Sequence, residues 1–360
     1  MPEQRLLSVA EALREATDLC LDRDPRVFVI GEGVADPKGI FGTTSGLAEK
    51  YGRERVVEMP LAENGFTGMA IGAALMGQRP LIIHQRVDFS LLSLEQLFNN
   101  AAKSCYITRG RHRVPLVVRM IIGRGWGQGP AHSQSLETLF ASIPGLKVVM
   151  PATAREAKGM LIAAVEDDNP VIFIEHRWVH YATGAVPAGY YTVPLDGPRC
   201  VRPGSAVTIV ATSYMLFEAL NAAGELARIG IEAEVFDLAV LRPLNLEPVL
   251  DSVRRTGHLV TVDTGFRLLG LGAEITATVT ERAFGALRRA PLRLGLSDHP
   301  TPSSRSLLKE FYPTALTILD GIAGMLDIPA DRLAPARARV VEDLARLPAD
   351  IPNPAFRGPF

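Results

Sequence analysis

The chain has 360 residues, with 38 Lys and Arg against 39 Asp and Glu, a formal net charge of −1 and 47% hydrophobic residues. That length holds two domains with separate cores. A near-neutral balance with no segment of strong basic excess argues against a general binder of nucleic acid or anionic membrane.

Cys20, Cys105 and Cys200 are far apart and share no metal-ligand spacing, which suits a reducing compartment. The N-terminus opens directly into an amphipathic pattern without the apolar core of a signal peptide. No apolar run approaches bilayer-spanning length. The expectation is a cytoplasmic protein that does not enter a membrane.

Helical and strand patterns alternate along the chain. A helix over Ala10 to Leu21 is followed by strands at Val27 to Ile30 and Arg55 to Met59, then by a helix of small residues after Glu63. A strand at Leu81 to His84, a helix at Leu94 to Ala102 and a strand at Pro115 to Ile122 come next. Lys147 to Met150, a helix at Ala154 to Val165 and a strand at Val171 to Ile174 complete the first half. Short, unbroken apolar strands between helices predict a parallel sheet covered on both faces.

From Tyr181 to Gly204 the sequence turns rich in Gly, Pro and Tyr and loses periodicity, as a linker does. A second unit alternates strands at Ala206 to Ala211, Glu234 to Asp237, His258 to Asp263 and Pro291 to Leu296 with helices at Leu216 to Ile229, Leu246 to Thr256 and Gly272 to Phe284. A Pro-rich turn and a helical tail close the chain. The expected division is a first domain over 1–185, a linker over 186–204, a second domain over 205–335 and a tail over 336–360.

Three stretches carry candidate chemistry. In MPLAENGFTGMAIGAAL, Met59 to Leu75, Glu63 is the one carboxylate among apolar and small residues. It loses solvation there and is suited to donating or sharing a proton. It also fits a first-turn glutamate that complements the helix dipole. The small residues Gly68, Ala70, Gly72, Ala73 and Ala74 would let something pack closely.

The loop GRGWGQGPAHSQ, Gly123 to Gln134, lacks both the GxxxxGK[ST] and the GxGxxG phosphate patterns. It offers His132 instead, as a proton donor or a carboxylate-orienting group, or as an ordinary structural histidine. The basic run Arg109, Arg111, His112 and Arg113 reads as a solvated loop or a subunit-contact patch.

These motifs together resemble the β subunit of the thiamine-diphosphate-dependent, decarboxylating component of 2-oxo acid dehydrogenases, within the transketolase-like group. The resemblance runs over roughly residues 5 to 330. It is carried by DPRVFVIGEGV from Asp24, MPLAENGFTG from Met59, DFS from Asp88, NNAAK from Asn99, VPLVVR from Val114, AHSQS from Ala131, PGLKVVMPATAREAKGML from Pro144, EDDNPVIFIEH from Glu166 and GAEI from Gly272.

It implies two doubly wound α/β domains, an N-terminal pyrimidine-binding domain and a C-terminal transketolase-type domain. It further implies that Glu63 hydrogen-bonds the ring nitrogen of the cofactor's aminopyrimidine, that Phe89 packs on that ring, and that His132 faces the reacting carbons. Glu32 matches an acidic position of the tunnel between paired active sites. Leu116, Ala164, Asp167 and Asn169 match positions that wrap a structural potassium ion, largely through backbone carbonyls.

In this family the diphosphate is held through magnesium by a GDG motif, and no GDG occurs in this chain. The resemblance therefore implies a separate α subunit that supplies the magnesium and diphosphate site, in a tetramer of two α and two β chains, with a lipoyl acyltransferase core as a further partner. IIHQRVDFS around Phe89, Arg124 and Trp126 in the glycine loop, DTGFRLLGLGAEI and HPTPSSRSLLKEFYP depart from the usual pattern. The implied activity is decarboxylation of pyruvate or a related 2-oxo acid with acyl transfer to lipoamide. The departures leave open transfer of a two-carbon unit to a carbonyl acceptor, and a non-catalytic partner of an α chain is the third reading.

Overall fold

The computed structural model describes residues 5–124 and 127–346. Trp126 and the end of the tail lie outside the described residues. The first half contains β1 (Leu6–Ser8), α1 (Val9–Arg23), β2 (Val27–Gly31), α2 (Leu47–Tyr51), β3 (Val56–Glu58), α3 (Glu63–Leu75), β4 (Arg79–His84) and α4 (Val87–Ser90). It continues through α5 (Ala102–Ile107), β5 (Val117–Ile122), α6 (Glu137–Ala141), β6 (Lys147–Val149), α7 (Ala154–Glu166), β7 (Val171–His176) and β8 (Thr183–Ala185).

The second half contains β9 (Arg199–Arg202), β10 (Val207–Ala211), α8 (Met215–Ala227), β11 (Ala233–Asp237), β12 (Val240–Arg242), α9 (Glu247–Thr256) and β13 (Leu259–Phe266). After it come α10 (Leu271–Ala283), β14 (Leu292–Leu296), α11 (Ala315–Met325) and α12 (Ala330–Arg346).

The alternation produces two sheets. One has seven strands in the order β12-β6-β7-β5-β4-β2-β3, and the other has five in the order β14-β13-β10-β11-β9. In the first, β3, β2, β4, β5, β7 and β6 pair in parallel. β5 and β7 are buried along their whole length, which is why both read as continuous apolar runs. The fold is the expected α/β architecture with helices on both faces. The start of α1 is fixed by a capping box, in which Ser8 accepts from the Glu11 amide and the Glu11 carboxylate reaches back to the Ser8 amide at 2.8 Å.

Three features are not legible in the periodicity. β12, from the second half, joins the first sheet by antiparallel pairing with β6, Val240 opposite Val149, so the two halves share a sheet. The Gly- and Pro-rich segment around 183–202 is strapped down. β8 pairs with β1, Tyr191 donates its hydroxyl to the Arg155 carbonyl at 2.8 Å, and a Cβ at Gly159 would strike Val193 and Tyr191. The stretch expected as a helix from Leu94 holds a π-helical segment, Gln96–Ala101, leading into α5.

Candidate active site

In open parallel sheets ligands bind outside the carboxyl ends of the strands. Here that rim carries Glu32 after β2, Glu58 at the end of β3, Gln85 and Arg86 after β4, Gly123 and Arg124 after β5, and Arg177 after β7. Close backbone approach makes the rim tight. A Cβ at Gly31 would lie 2.4 Å from the Ile83 carbonyl oxygen, and Gln85 Nε2 donates to the Glu32 carbonyl at 3.1 Å.

Glu63 is the first residue of α3, so the helix-dipole reading describes its place. It is also 6% exposed, and among the described residues its carboxylate makes no hydrogen bond. Its backbone is fixed to the segment after α4: Ser93 Oγ donates to the Glu63 carbonyl at 3.0 Å, and Asn64 Nδ2 donates to the Leu92 carbonyl at 3.2 Å.

Glu32 lies within electrostatic reach of Glu63. Burial first, and then the charges of Glu63 and Glu58, push the Glu32 carboxyl above the usual carboxylate range. Its Oε1 is buried without a hydrogen-bond partner. Glu58, by contrast, accepts from the Gly33 and Ala35 amides.

Phe89 and His132 meet edge-on, with ring centroids 5.4 Å apart and planes at 89°. The contact is held by Gln134, whose Nε2 donates to Asp88 Oδ1 at 2.8 Å and ties the glycine loop to α4. His132 is exposed, open to a ligand.

The loop glycines serve a packing need. Gly127 and Gly129 have φ of +66° and +64°, and a Cβ at Gly129 would lie 2.1 Å from Ser303 Oγ of the second half. Arg124 is buried with its guanidinium 4.4 Å from the Trp178 ring centroid and 4.0 Å from that of Tyr312.

The motifs do not disclose the basic side of this rim. Gln128 Oε1 accepts from both Arg86 and Arg177. Next to them, Arg119 and His180 close on the buried Glu175. Burial alone would raise the Glu175 carboxyl, but Arg119 and His180 hold it down to about 2. The available signal is positional, since each of these arginines except Arg119 stands just past the end of a strand.

Leu116, Ala164, Asp167 and Asn169 are near the opposite edge, where Leu116 precedes β5 and Asn169 precedes β7. The backbone oxygens of the first three already have partners. Leu116 accepts from the Val171 amide at 2.8 Å, Ala164 from the Asp167 amide at 3.3 Å, and Asp167 from Arg79 at 3.1 Å. The Asp167 carboxylate binds Lys147.

The site residues fit an aminopyrimidine cofactor in part. A buried carboxylate without a hydrogen bond can meet a heterocyclic ring nitrogen, and Phe89 offers an aromatic surface. Among the described residues no group of three or more His, Cys, Asp or Glu side chains could hold a metal ion, and no helix is long and apolar enough to cross a membrane.

Residues 6–179 match the family described as transketolase, pyrimidine binding domain, and residues 198–318 match transketolase, C-terminal domain. The chain is 41% identical over 325 residues to the β subunit of acetoin:2,6-dichlorophenolindophenol oxidoreductase of Cupriavidus necator, covering 87% of this chain and 96% of that one. It is 39% identical to the mitochondrial pyruvate dehydrogenase E1 component subunit β of Caenorhabditis elegans, covering 89% and 93%. With the pyruvate dehydrogenase E1 component subunit β of Rhizobium meliloti it shares 37% identity, covering 89% and 70%.

A solved structure described as a split gene transketolase, an inactive β4 tetramer, has the same fold. It has a TM-score of 0.70 and 24% identity, covering 89% of this chain and 99% of that one. The likenesses to the pyruvate dehydrogenase and acetoin oxidoreductase β subunits favour the dehydrogenase-type reading over the carbonyl-transfer and scaffold alternatives. The chain belongs to the transketolase-like family of thiamine-diphosphate-dependent 2-oxo acid dehydrogenase β subunits, of the pyruvate dehydrogenase E1 type.

Proposed function

We propose that this chain is the catalytic β half of an α2β2 enzyme that decarboxylates pyruvate or a related 2-oxo acid and passes the acyl group to lipoamide. The observation that carries the reading is Glu63, buried at the start of α3 with no hydrogen bond to its carboxylate among the described residues. Bound thiamine diphosphate would supply the electron sink for loss of carbon dioxide.

Glu63 would hold a proton toward the pyrimidine ring nitrogen of the bound group, and its low exposure would keep water from competing for that bond. Phe89 packs on the ring. His132 donates a hydrogen bond to the substrate carboxylate or assists acyl transfer, and the edge contact with Phe89 sets its approach. Glu32, held near Glu63, relays protons toward the second site of the assembly.

Magnesium and the diphosphate belong to the α subunit in this reading, consistent with the lack of GDG. The surface supports a partner as well. Met69, 60% exposed, lies with Gly65 and Gly72 at helical spacing on the outer face of α3, and Met76, 83% exposed, caps its C-terminus. A structural potassium at Leu116, Ala164, Asp167 and Asn169 is part of the same proposal, with Arg79 sharing the Asp167 carbonyl.

The division into domains over 1–185 and 205–335, joined by 186–204 and followed by a tail over 336–360, is retained, with a lipoyl acyltransferase docking on the second. Three free cysteines suit a cytoplasmic setting.

The test is co-expression of Glu63→Gln with the α subunit. Assembly should persist by gel filtration while 2-oxo acid-dependent reduction of 2,6-dichlorophenolindophenol falls by about 10²- to 10⁴-fold. Undiminished reduction overturns the assignment.

A further inference from the structure

Three side chains converge on the rim from sequence-distant positions: Arg86 after β4, Arg177 after β7, and Gln128 in the glycine loop after β5. Gln128 Oε1 accepts from Arg86 Nη2 and, at 3.0 Å, from Arg177 Nη1. Arg86 is 3% exposed and Arg177 is fully buried. Both guanidiniums stand over the Phe41 ring, at 5.8 and 4.6 Å from its centroid. Phe41 is in turn a wall of a cavity of about 480 Å³ that Lys38 and Gln85 also line.

For Arg86 the one hydrogen-bond acceptor among the described residues is the neutral amide oxygen of Gln128, which compensates little of the hydration that its buried guanidinium loses. A charged partner is visible close by, where both oxygens of Glu175 accept from Arg119. Among the described residues no carboxylate is hydrogen-bonded to Arg86 in this way. Glu175 is taken by Arg119 and His180. Asp88, the acid that acts on Arg86, gives one oxygen to Gln134, and its other oxygen is buried without a hydrogen bond.

Arg124 adds a further positive charge, and His176, disfavoured as a cation by burial and then by Arg124, His180 and Arg86, adds no compensation. Burial, and then the charge of Arg86, pull Arg177 down to about 9. The Nη1 of Arg86 is buried with no hydrogen-bond partner. Positive charge is thus gathered within one chain at the rim of its sheet.

The cluster adjoins the reaction residues through the backbone. The Phe89 amide donates to the Arg86 carbonyl at 3.2 Å, and Gln128 is four residues before His132 in the same loop. Its burial inside this chain favours a small ligand entering the crevice over a side chain from a neighbouring subunit.

We propose that Arg86, Arg177 and Gln128 form a subsite for a carboxylate at the far end of the substrate, which makes 2-oxo dicarboxylic acids the preferred substrate class. The inference deepens the reading of the chain as a decarboxylating β subunit and rests on it. Planar guanidinium forks match a carboxylate, which would add charge-assisted bonds beside those that Gln128 now accepts.

The test uses the assembled αβ enzyme and two readouts. Calorimetry with glutarate, a dicarboxylate that lacks the reacting oxo group, reads the subsite without turnover. The ratio of kcat/KM for 2-oxoglutarate over 2-oxopentanoate, which differ in the terminal carboxylate, reads its use in catalysis. Wild-type enzyme should bind glutarate and favour 2-oxoglutarate.

Arg86→Met should weaken glutarate binding and lower the ratio by about 10- to 100-fold. Arg86→Lys, which keeps the charge without the fork, should fall between. Gln128→Glu places a carboxylate between the guanidiniums. It should abolish glutarate binding while leaving the Tm at or above that of wild type, which separates loss of the subsite from loss of the fold.

No glutarate binding by wild type, a preference for 2-oxopentanoate, tighter binding of inorganic phosphate than of glutarate, or an unchanged ratio in Arg86→Met would each overturn the subsite. Arg86-dependent glutarate binding without decarboxylation of either acid would retain the subsite and overturn the decarboxylase reading instead.

Discussion

The two ends of one strand rim solve opposite electrostatic problems. At the β2–β3 end, Glu32, Glu58 and Glu63 gather negative charge, and of these Glu58 is tied by backbone amides. At the β4–β7 end, Arg86, Arg124 and Arg177 gather positive charge, while the buried carboxylate of Glu175 is bonded to Arg119 beneath them. A buried polar atom without a hydrogen-bond partner, such as Glu32 Oε1 or Arg86 Nη1, costs stability in the free chain and is available to a ligand. The acidic end is suited to proton exchange with a heterocycle, and the basic end to holding an anion.

Four substitutions probe this contrast, taken from the largest expected effect. Glu63→Gln removes the exchangeable proton and should reduce turnover by about 10²- to 10⁴-fold, measured with dye in the αβ enzyme. Little change there would leave the acidic end without a catalytic purpose.

Arg119→Met strands Glu175 with His180 alone and should cost about 3–5 kcal/mol, read by urea unfolding. The same group sets an acid limit. The folded Glu175 carboxyl sits at about 2, below its unfolded value, so its stabilisation is present above that unfolded value and is lost as pH falls toward 2. Arg119→Met should weaken that dependence.

His84→Asn tests the strand between the two ends. His84 is fully buried, its Nε2 has no hydrogen-bond partner, and burial lowers it to about 4. The unfolded chain takes up this proton first, so wild-type stability should drop as pH falls from about 6.5 toward 4. The asparagine variant should be flatter there in Tm measured against pH.

Glu32→Gln should have the smallest effect and the opposite sign. The folded carboxyl is raised by burial, Glu63 and Glu58, so the wild type loses stability as pH rises through the folded value. The glutamine variant should lose less as pH rises above the ordinary carboxylate range, in the same Tm series.

Much of this site is legible in the sequence. Glu63 stands out because a carboxylate in a run of small and apolar residues is chemically anomalous. Phe89 and His132 come from motifs, and the fold brings these two rings into contact across 43 residues of sequence. Arg124 is visible as a departure from the family pattern, yet its seat over Trp178 and Tyr312 depends on the second half of the chain. The glycines of its loop match no phosphate-binding pattern, and Gly129 makes room for Ser303.

By itself the sequence determined the alternation of buried strands and helices, because apolar periodicity is a local property, and it singled out Glu63 as the lone carboxylate in a run of small and apolar residues. Only the tertiary structure decided that β12 crosses into the first sheet and that Arg86, Gln128 and Arg177 share one point. The physical reason is the parallel sheet. Neighbouring strands are joined by long crossovers, so residues at adjacent carboxyl ends meet through strand order and not through proximity in the chain.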